Sequence, residues 1–269
     1  MVRFVTNEAF DNEVIFLFCG RNIPHPNVIT KNLTVSHSTM IELIDICKVF
    51  RNKEVETKAL SNINLSVAEG EFVSIMGPSG CGKSSLLNII GLIDSPSSGM
   101  YNLDGQLVSD ISERNRTDLR KNNFAFVFQS FNLIDDLTAW ENIELPLVYQ
   151  KVPQAERARR VDQVLERFNL KHRSNYFPNE LSGGQQQSVA VARAVIAKPR
   201  IILADEPTGN LDSTHGEDII QQLTQLNEAG TTIIMVTHSL MMAQRTQRII
   251  YLFDGHVVTE SYSKTTANL

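Results

Sequence analysis

A glycine-rich segment near residue 80 has the residue types and spacing of a phosphate-binding loop. The apolar run Phe72–Met76 leads directly into the motif Gly77-Pro78-Ser79-Gly80-Cys81-Gly82-Lys83-Ser84. The motif follows the pattern G-x-x-x-x-G-K-[ST] between a strand and a helix, and Ser85 continues it into the helix. Such glycines let backbone N–H groups surround a polyphosphate, while Lys83 supplies a cation for the β- and γ-phosphates and Ser84 a hydroxyl ligand for Mg²⁺. We predict that residues 77–85 bind a nucleotide; a glycine-rich turn that binds nothing is the alternative.

Two carboxylates end a second apolar run. Ile201–Ala204 is followed directly by Asp205 and Glu206. Because burying unpaired negative charge is costly, acids at the end of such a strand indicate a bound cation or a strand tip that faces a cleft. Asp205 fits as the carboxylate on the Mg²⁺ side, acting through water, and Glu206 as the base for an attacking water. Two exposed acids at a strand end are the alternative.

Two further polar residues follow apolar runs in the same way. His238 comes after Thr231–Val236, and Gln129 comes after Phe124–Phe128. Ligands bind beyond the carboxyl ends of parallel strands, so His238 is placed to sense a γ-phosphate. The amide of Gln129 is placed to contact Mg²⁺ or the nucleophilic water. Taken alone, a histidine at a strand end is usually an ordinary surface residue, and Gln129 by itself is a weak signal.

A second candidate anion site begins another helix. Leu181-Ser182-Gly183-Gly184-Gln185 precedes a stretch rich in alanine and valine, Val189–Ala197. Backbone N–H groups and a serine hydroxyl at a helix N-terminus bind anions, although an ordinary helix cap has the same residues. If this segment faces a second copy of the chain, each ATP lies between the loop at residues 77–85 of one copy and Ser182, Gly183, Gly184 and Gln185 of the other.

The elements that must position these residues alternate along the chain. Short strands with turns are predicted from Met40 to about Val108, a more helical stretch from Glu113 to Glu180, and strand–helix alternation after it. Such alternation is typical of a parallel α/β core. The individual predictions are strands at Ile41–Ile46, Ile63–Val67, Phe72–Met76, Tyr101–Leu103, Ile201–Ala204 and Thr231–Val236, and helices at Ala155–Leu170 and Glu217–Asn227.

Composition narrows the class of protein. The chain has 269 residues and a formal net charge of −5. Because nucleic-acid-binding proteins usually carry an excess of positive charge, no nucleic-acid partner is expected. The three cysteines, Cys19, Cys47 and Cys81, lack metal-ligand spacing and are typical of reduced thiols. The apolar run Val14–Cys19 is shorter than the ~20 residues that cross a bilayer. We therefore expect any membrane role to come through a partner.

Together these motifs resemble the ABC ATPase family over about residues 40–258. The matched set, in family order, is the loop at 77–84, Gln129, the segment 181–185, the run 201–206, the segment 209–212 and His238. The resemblance implies an α/β fold: a P-loop NTPase core with a mostly parallel sheet, an antiparallel β-subdomain and an inserted helical subdomain. It also implies ATP hydrolysis with ATP and Mg²⁺ as cofactors, and a homodimer.

The resemblance implies roles for two further residues. Phe50 takes the place of the aromatic residue that stacks on adenine, with a buried core aromatic as the alternative. Asp212 would reach across the dimer.

The segments 127–133, 137–147 and 204–212 are similar to the lipoprotein-release and macrolide-export branch of that family. This resemblance implies a separate membrane permease that contacts Gln129–Leu147, and a cytoplasmic subunit held on the inner face of the membrane. Two alternatives stay open: an ATPase that signals through a membrane partner, as in cell division, and a soluble ABC ATPase acting on DNA or ribosomes. A small-molecule kinase would leave the segment 181–185 and His238 without a role.

The domain limits follow from the same resemblance. We place the nucleotide-binding domain at residues 40–260, its helical subdomain at about 130–185, and a polar tail at 261–269. Residues 1–39 are predicted to be an N-terminal extension, either a flexible arm or a stretch upstream of the true start.

Two positions depart from the family pattern or carry unusual chemistry. Ser188 stands where the family usually has arginine, which removes a multidentate donor from the helix after residue 185. Cys81 lies inside the phosphate-binding loop, where positive potential favours the thiolate. We expect bound ATP to slow chemical modification of Cys81.

Overall fold

The computed structural model of the chain describes residues 38–51 and 56–262. The strands are β1 (Thr39–Arg51), β2 (Glu56–Ala68), β3 (Phe72–Met76), β4 (Ser98–Leu103), β5 (Gln106–Leu107), β6 (Phe124–Phe128), β7 (Ile201–Asp205), β8 (Thr232–Val236), β9 (Arg248–Phe253) and β10 (His256–Tyr262). The α-helices are α1 (Lys83–Ile90), α2 (Glu113–Asn123), α3 (Ala139–Tyr149), α4 (Gln154–Arg167), α5 (Gly183–Val195), α6 (Ser213–Glu228) and α7 (Leu240–Ala243). Short 3-10 turns lie at Lys171–Arg173 and Pro178–Glu180.

A six-stranded sheet in the order β10-β9-β3-β8-β7-β6 forms the centre of the described region. Its strands are parallel from β9 to β6, and β10 pairs antiparallel at the edge. The inner strands β3 and β8 are buried along their whole length, as expected for strands covered on both faces. Because β3, β6, β7 and β8 run in one direction, the residues that follow them meet at one edge of the sheet.

A second, antiparallel sheet has the order β2-β1-β4-β5. It packs with helix α1 and one face of the six-stranded sheet around a shared core that includes Leu43, Ile63, Ile75 and Leu86. Tyr101 is also buried in this core, and its hydroxyl donates to the Ile90 carbonyl at 2.7 Å. The fold expected from the resemblance is thus confirmed, including the antiparallel β-subdomain.

Helices α3 and α4 pack with α5 and α6 around a second core. That core lies on the opposite face of the six-stranded sheet and includes Phe72, Ile143, Val161, Val189 and Ile219. Within the ranges that the structure describes, we find no helix long and apolar enough to cross a membrane.

The predicted bounds match the buried strand β3 but are too narrow for β1, β2 and β4 of the antiparallel sheet. The bounds of Phe72–Met76 are the same in the prediction and the structure, whereas β1 extends beyond Ile41–Ile46 at both ends. The added residues of β1 are held by pairing with β2, with several register shifts that disturb the alternation of apolar residues. The hairpin of β9 and β10 was not predicted. Strand β10 is mostly exposed and lacks an apolar pattern, whereas the buried strand β9 has the apolar run 249–253, which was an available signal.

The ends of the chain lie partly outside the described residues. Of the predicted extension at residues 1–39, residues 1–37 are outside the description, as are residues 263–269 of the predicted tail. Strand β1 begins at Thr39 and β10 ends at Tyr262, so regular structure reaches one residue before and two residues beyond the predicted limits of 40 and 260.

Candidate nucleotide-binding site

The phosphate-binding loop joins β3 to α1 in the way that the motif predicts. Gly82 caps α1 with a left-handed φ of 104°, and a Cβ atom at this position would lie 2.5 Å from the Ala59 carbonyl oxygen. Only glycine suits both the dihedral angle and the close approach. The Lys83 ammonium donates to the carbonyls of Gly77 and Pro78, at 2.8 Å each. The loop therefore curls around its own lysine and keeps the cation at its centre.

Most of the predicted site residues line a single cleft of about 420 Å³ at the carboxyl edge of the six-stranded sheet. The predicted residues on its wall are Ser79, Gly80, Gly82, Lys83, Ser84, Ser85, Gln129, Asp205, Glu206 and His238. Ala59 and Val236 complete the wall, and the sequence analysis did not predict them. Gly77, Pro78 and Cys81 belong to the loop but do not line the cleft, and the Cys81 side chain is buried.

Asp205 lies half-buried at the end of β7, next to the phosphate-binding loop. The pKa of its carboxyl group is raised, mainly by burial and further by the charge of Glu206. A hydrogen bond with Ser84 and the charge of Lys83 act in the opposite direction and lower this pKa. A carboxylate bonded to a serine hydroxyl is the oxygen-rich setting that Mg²⁺ prefers. Ser84 and Asp205 therefore fit the metal-binding role that the sequence predicted for them.

Glu206 and His238 form a pair in the wall of the cleft. Glu206 Oε2 lies 2.9 Å from His238 Nδ1 and accepts a longer hydrogen bond, 3.4 Å, from the His238 backbone N–H. The Glu206 side chain is largely buried, whereas His238 is 72% exposed. Glu206 also has a left-handed φ of 47°, held by a bond from its N–H to the Val236 carbonyl at 2.9 Å. Non-glycine residues in this region are often found at functional sites, and Glu206 lines the cleft.

Gln129 is held by Asn210 through a reciprocal pair of hydrogen bonds. Gln129 Nε2 donates to Asn210 Oδ1, and Asn210 Nδ2 donates to the Gln129 carbonyl, both at 3.0 Å. The donor end of the Gln129 amide is thus engaged, and its Oε1 atom is the end that suits Mg²⁺ or water. Asn210 is not among the residues predicted for the site from sequence, because it lies 81 positions from Gln129.

The segment 182–185 lies elsewhere on the chain. Ser182 and Gln185 form a reciprocal capping box at the start of α5, as the helix-cap alternative proposed. Gly184 and Gln185 line a different cleft from the phosphate-binding loop, and Ser188 lies on that wall. The Ser188 hydroxyl accepts a hydrogen bond from Gln222 Nε2 at 3.4 Å, so a short hydroxyl takes the place of a long guanidinium.

Phe50 and Asp212 also lie outside the cleft. Phe50 is 47% exposed, so the alternative of a buried core aromatic is wrong, and the Lys48 ammonium lies 4.9 Å from the ring centroid. Asp212 caps α6 and accepts a hydrogen bond from the His215 N–H at 3.0 Å. Hydrogen bonds from the backbone and side chain of His215 lower the pKa of Asp212.

Two residues that the sequence analysis missed tie helix α5 to the site. Arg193 donates to the carbonyls of Asn132 and Phe131, at 2.6 and 3.0 Å, and so holds the loop that follows Gln129. Gln187 is fully buried and donates to the Pro207 carbonyl at 2.7 Å, just beyond the carboxylates. A cation inside the apolar second half of α5 was the available signal for Arg193, because such a side chain needs a polar partner when it is buried.

Comparison with known proteins assigns the family. The profile of the family described as "ABC transporter" matches residues 60–209. The macrolide export ATP-binding/permease protein MacB of Azoarcus sp. (strain BH72) is 48% identical over 227 residues, which cover 84% of this chain and 35% of that protein. An uncharacterized ABC transporter ATP-binding protein of Methanocaldococcus jannaschii, MJ0796, is 49% identical over 226 residues, which cover 82% of this chain and 96% of that protein. The chain thus spans about a third of the length of the MacB relatives that it matches.

Solved structures agree with this assignment. A dimeric structure of MJ0796 in a post-hydrolysis state, bound to ADP and Pi, matches with a TM-score of 0.78 and 46% identity, covering 84% of this chain and 99% of that chain. The cbiO1 protein of Clostridium perfringens, part of the ABC transporter complex cbiONQ, matches with a TM-score of 0.76 and 27% identity, covering 86% of this chain and 91% of that chain. The chain therefore belongs to the ABC transporter family.

Proposed function

We propose that this chain is the ATP-hydrolysing subunit of an ABC transporter of the lipoprotein-release or macrolide-export type, and that it works as a homodimer closed around two Mg-ATP. The homodimer is inferred from the separation of the two candidate anion-binding segments. Lys83 and the loop around it line one cleft, whereas Gly184 and Gln185 line another. Within one copy, the segment 182–185 is not part of the nucleotide cleft. A second copy facing head to tail would supply it, and the dimeric form of the relative MJ0796 supports this arrangement.

The proposed chemistry assigns each group in the cleft one task. The loop N–H groups and Lys83 bind the β- and γ-phosphates, and Phe50, which lies outside the cleft, stacks on the adenine. Ser84, Asp205 and the Gln129 Oε1 atom would hold Mg²⁺, which neutralises charge on the phosphate oxygens when it is bound. Glu206 accepts the proton of the attacking water. His238 lies against Glu206 and orients this carboxylate toward the γ-phosphate.

The second copy completes each site in this proposal. Ser182, Gly183, Gly184 and Gln185 of one copy would contact the γ-phosphate held by the other, and Asp212 would couple the two sites. ATP binding closes the dimer and hydrolysis reopens it. The domain that performs this cycle is residues 40–260, with the helical subdomain at about 130–185.

The permease is proposed to dock beside α3. A cleft of about 700 Å³ lies among α2, β6, α3 and α5, close to the Gln129–Leu147 region. Its wall includes Ile93 and Tyr149, which are 46% and 66% exposed, together with Leu145 and Pro146. Exposed apolar surface of this kind marks interaction sites. A coupling segment of a permease would fill the cleft and hold the chain at the inner face of the membrane.

Replacement of Glu206 by glutamine tests the catalytic part of the proposal. The substitution keeps the size of the side chain but removes the base, so turnover should fall on the order of 10²–10⁴-fold. Phosphate release is measured at saturating Mg-ATP, and light scattering reports the oligomeric state of the same sample. Glu228→Gln, at the exposed end of α6, is the matched control and should keep wild-type turnover. Turnover close to wild type in Glu206→Gln, or a monomer at saturating Mg-ATP, would overturn the mechanism.

A pull-down from native membranes tests the transporter part. Tagged Glu206→Gln is held closed with Mg-ATP, and the captured proteins are identified by mass spectrometry. Capture of a few-span permease with a large outer domain supports the proposed branch. Capture of ribosomal or DNA-associated proteins alone would refute it.

A further inference from the structure

His215 lies between Asp212 and the segment 182–185, the two elements that the proposed dimer would present to a second copy. Its ring nitrogen Nδ1 is 2.7 Å from Asp212 Oδ2, and its backbone N–H donates to Asp212 Oδ1 at 3.0 Å. Both carboxylate oxygens of Asp212 are therefore engaged by one residue. The side chains of Asp212 and His215 are 65% and 49% exposed, so the bonds with His215 restrict a carboxylate that otherwise faces solvent.

The other side of the His215 ring contacts Gly184. A Cβ atom added at Gly184 would lie 2.5 Å from His215 Cδ2, 2.9 Å from Cγ and 3.1 Å from Cβ. All three nearest atoms belong to His215, and Gly184 has no left-handed φ that would by itself require glycine. At the adjacent Gly183, the nearest atom is Leu211 Cδ2 at 3.5 Å, an ordinary contact. Within the described chain, an added side chain at position 184 would therefore meet His215 first.

We propose that His215 is a positioning residue that fixes the amino end of α5 against the loop carrying Asp212, so that both meet the second copy as one rigid unit. The inference rests on the proposed function. Its physical basis is the pairing of one polar and one steric restraint on the same ring. The Asp212 carboxylate fixes the ring orientation, and the ring face then limits where the backbone at Gly184 can lie.

Loss of the ring should weaken the ATP-driven closure and leave the chemistry of each closed site intact. We expect His215→Ala to raise the Mg-ATP concentration for half-maximal hydrolysis about three- to tenfold, with kcat within about twofold of wild type. His215→Asn keeps a donor near the Nδ1 position and should restore the KM to within about twofold. If His215 served only stability, His215→Ala would lower the melting temperature but would not raise the KM while leaving kcat unchanged.

A double-mutant cycle tests the contact itself. Gly184→Ala alone should weaken Mg-ATP-dependent dimerisation at least about tenfold, because the added methyl group meets the ring. In the His215→Ala background the same substitution should cost at least about threefold less than in wild type, because the clash with the ring is gone. Gly183→Ala is the matched control, and its effect should be equal in both backgrounds. Circular dichroism confirms that each variant is folded.

The outcomes separate this inference from the proposed function. If wild type dimerises with Mg-ATP but Gly184→Ala is equally damaging with and without His215, the positioning role is refuted, because another group then requires the glycine. If wild type does not dimerise with Mg-ATP, the proposed function itself fails. The inference is supported if His215→Ala reduces the cost of Gly184→Ala but not that of Gly183→Ala, and if His215→Asn restores the KM.

Discussion

Replacing Asn142 by leucine tests how the chain between Gln129 and α3 is held next to the nucleotide site. Asn142 is fully buried in the first turns of α3. Its Oδ1 atom accepts a hydrogen bond from the Ile134 N–H at 2.9 Å. Its Nδ2 group donates to the carbonyls of Ile134, Leu137 and Thr138 at 3.1, 2.9 and 3.1 Å. One amide therefore satisfies much of the loop backbone.

The magnitude follows from these contacts. Two N–H hydrogens and one oxygen make the equivalent of three hydrogen bonds, each contributing about 1 kcal/mol, and leucine leaves the Ile134 N–H without its partner. The expected loss in the free energy of unfolding is about 3–4 kcal/mol. For a domain of this size, that loss lowers the melting temperature by roughly 6–16 °C.

The assay is thermal unfolding of wild type and Asn142→Leu at equal protein concentration, followed by circular dichroism. Asn122→Leu is the control, because Asn122 is exposed on helix α2 and its replacement should change the melting temperature by less than about 2 °C. A melting temperature for Asn142→Leu within about 2 °C of wild type would refute the reasoning, since the buried amide would then contribute nothing.

Asn142→Asp extends the test to pH. The carboxylate keeps the acceptor for the Ile134 N–H but places a negative oxygen against three carbonyls, and both burial and this repulsion would raise its folded pKa. A raised folded pKa means that stability is retained below the unfolded value of about 3.9 and is lost as the pH rises through the folded pKa. We therefore expect the stability deficit of this variant to shrink when the pH is lowered from about 8 to about 5, which urea titrations at each pH will measure.

Three further predictions concern Arg193, the phosphate-binding loop and the Cys81 thiol. Arg193→Lys should lower the free energy of unfolding in urea by about 1–2 kcal/mol, because an ammonium does not reproduce the fork that reaches two carbonyls; an unchanged midpoint would contradict this. Gly77→Ala should weaken binding of a fluorescent ATP analogue more than about tenfold, because its Cβ would lie 2.1 Å from the Leu252 carbonyl oxygen; equal affinity would contradict the assigned loop geometry. Maleimide modification of Cys81, followed by peptide mass spectrometry, should be slow because the side chain is 3% exposed, and slower still with ATP bound; equal rates with and without ATP would show that the nucleotide does not protect the loop.

The sequence by itself determined the groups that follow the central strands. Largely apolar runs such as Phe72–Met76 and Ile201–Ala204 are typical of strands buried on both faces, and parallel strands place their carboxyl ends at one edge. Lys83, Asp205 and His238 could therefore be predicted to share a site without any long-range contact being known. The motifs at 77–84 and 181–185 then indicated the family, because each is a local arrangement of backbone and side chain.

Only the tertiary structure decided which residues hold those groups in place. Gln129 and Asn210 are 81 positions apart, and Arg193 reaches a carbonyl 61 positions away, so no periodicity or spacing indicates either pair. The same holds for the contact of His215 with Gly184, which depends on how α5 packs beside α6. Local sequence sets which atoms a strand end or a helix start presents, but the distances between those elements depend on packing across the whole sheet, and packing is a property of the folded chain.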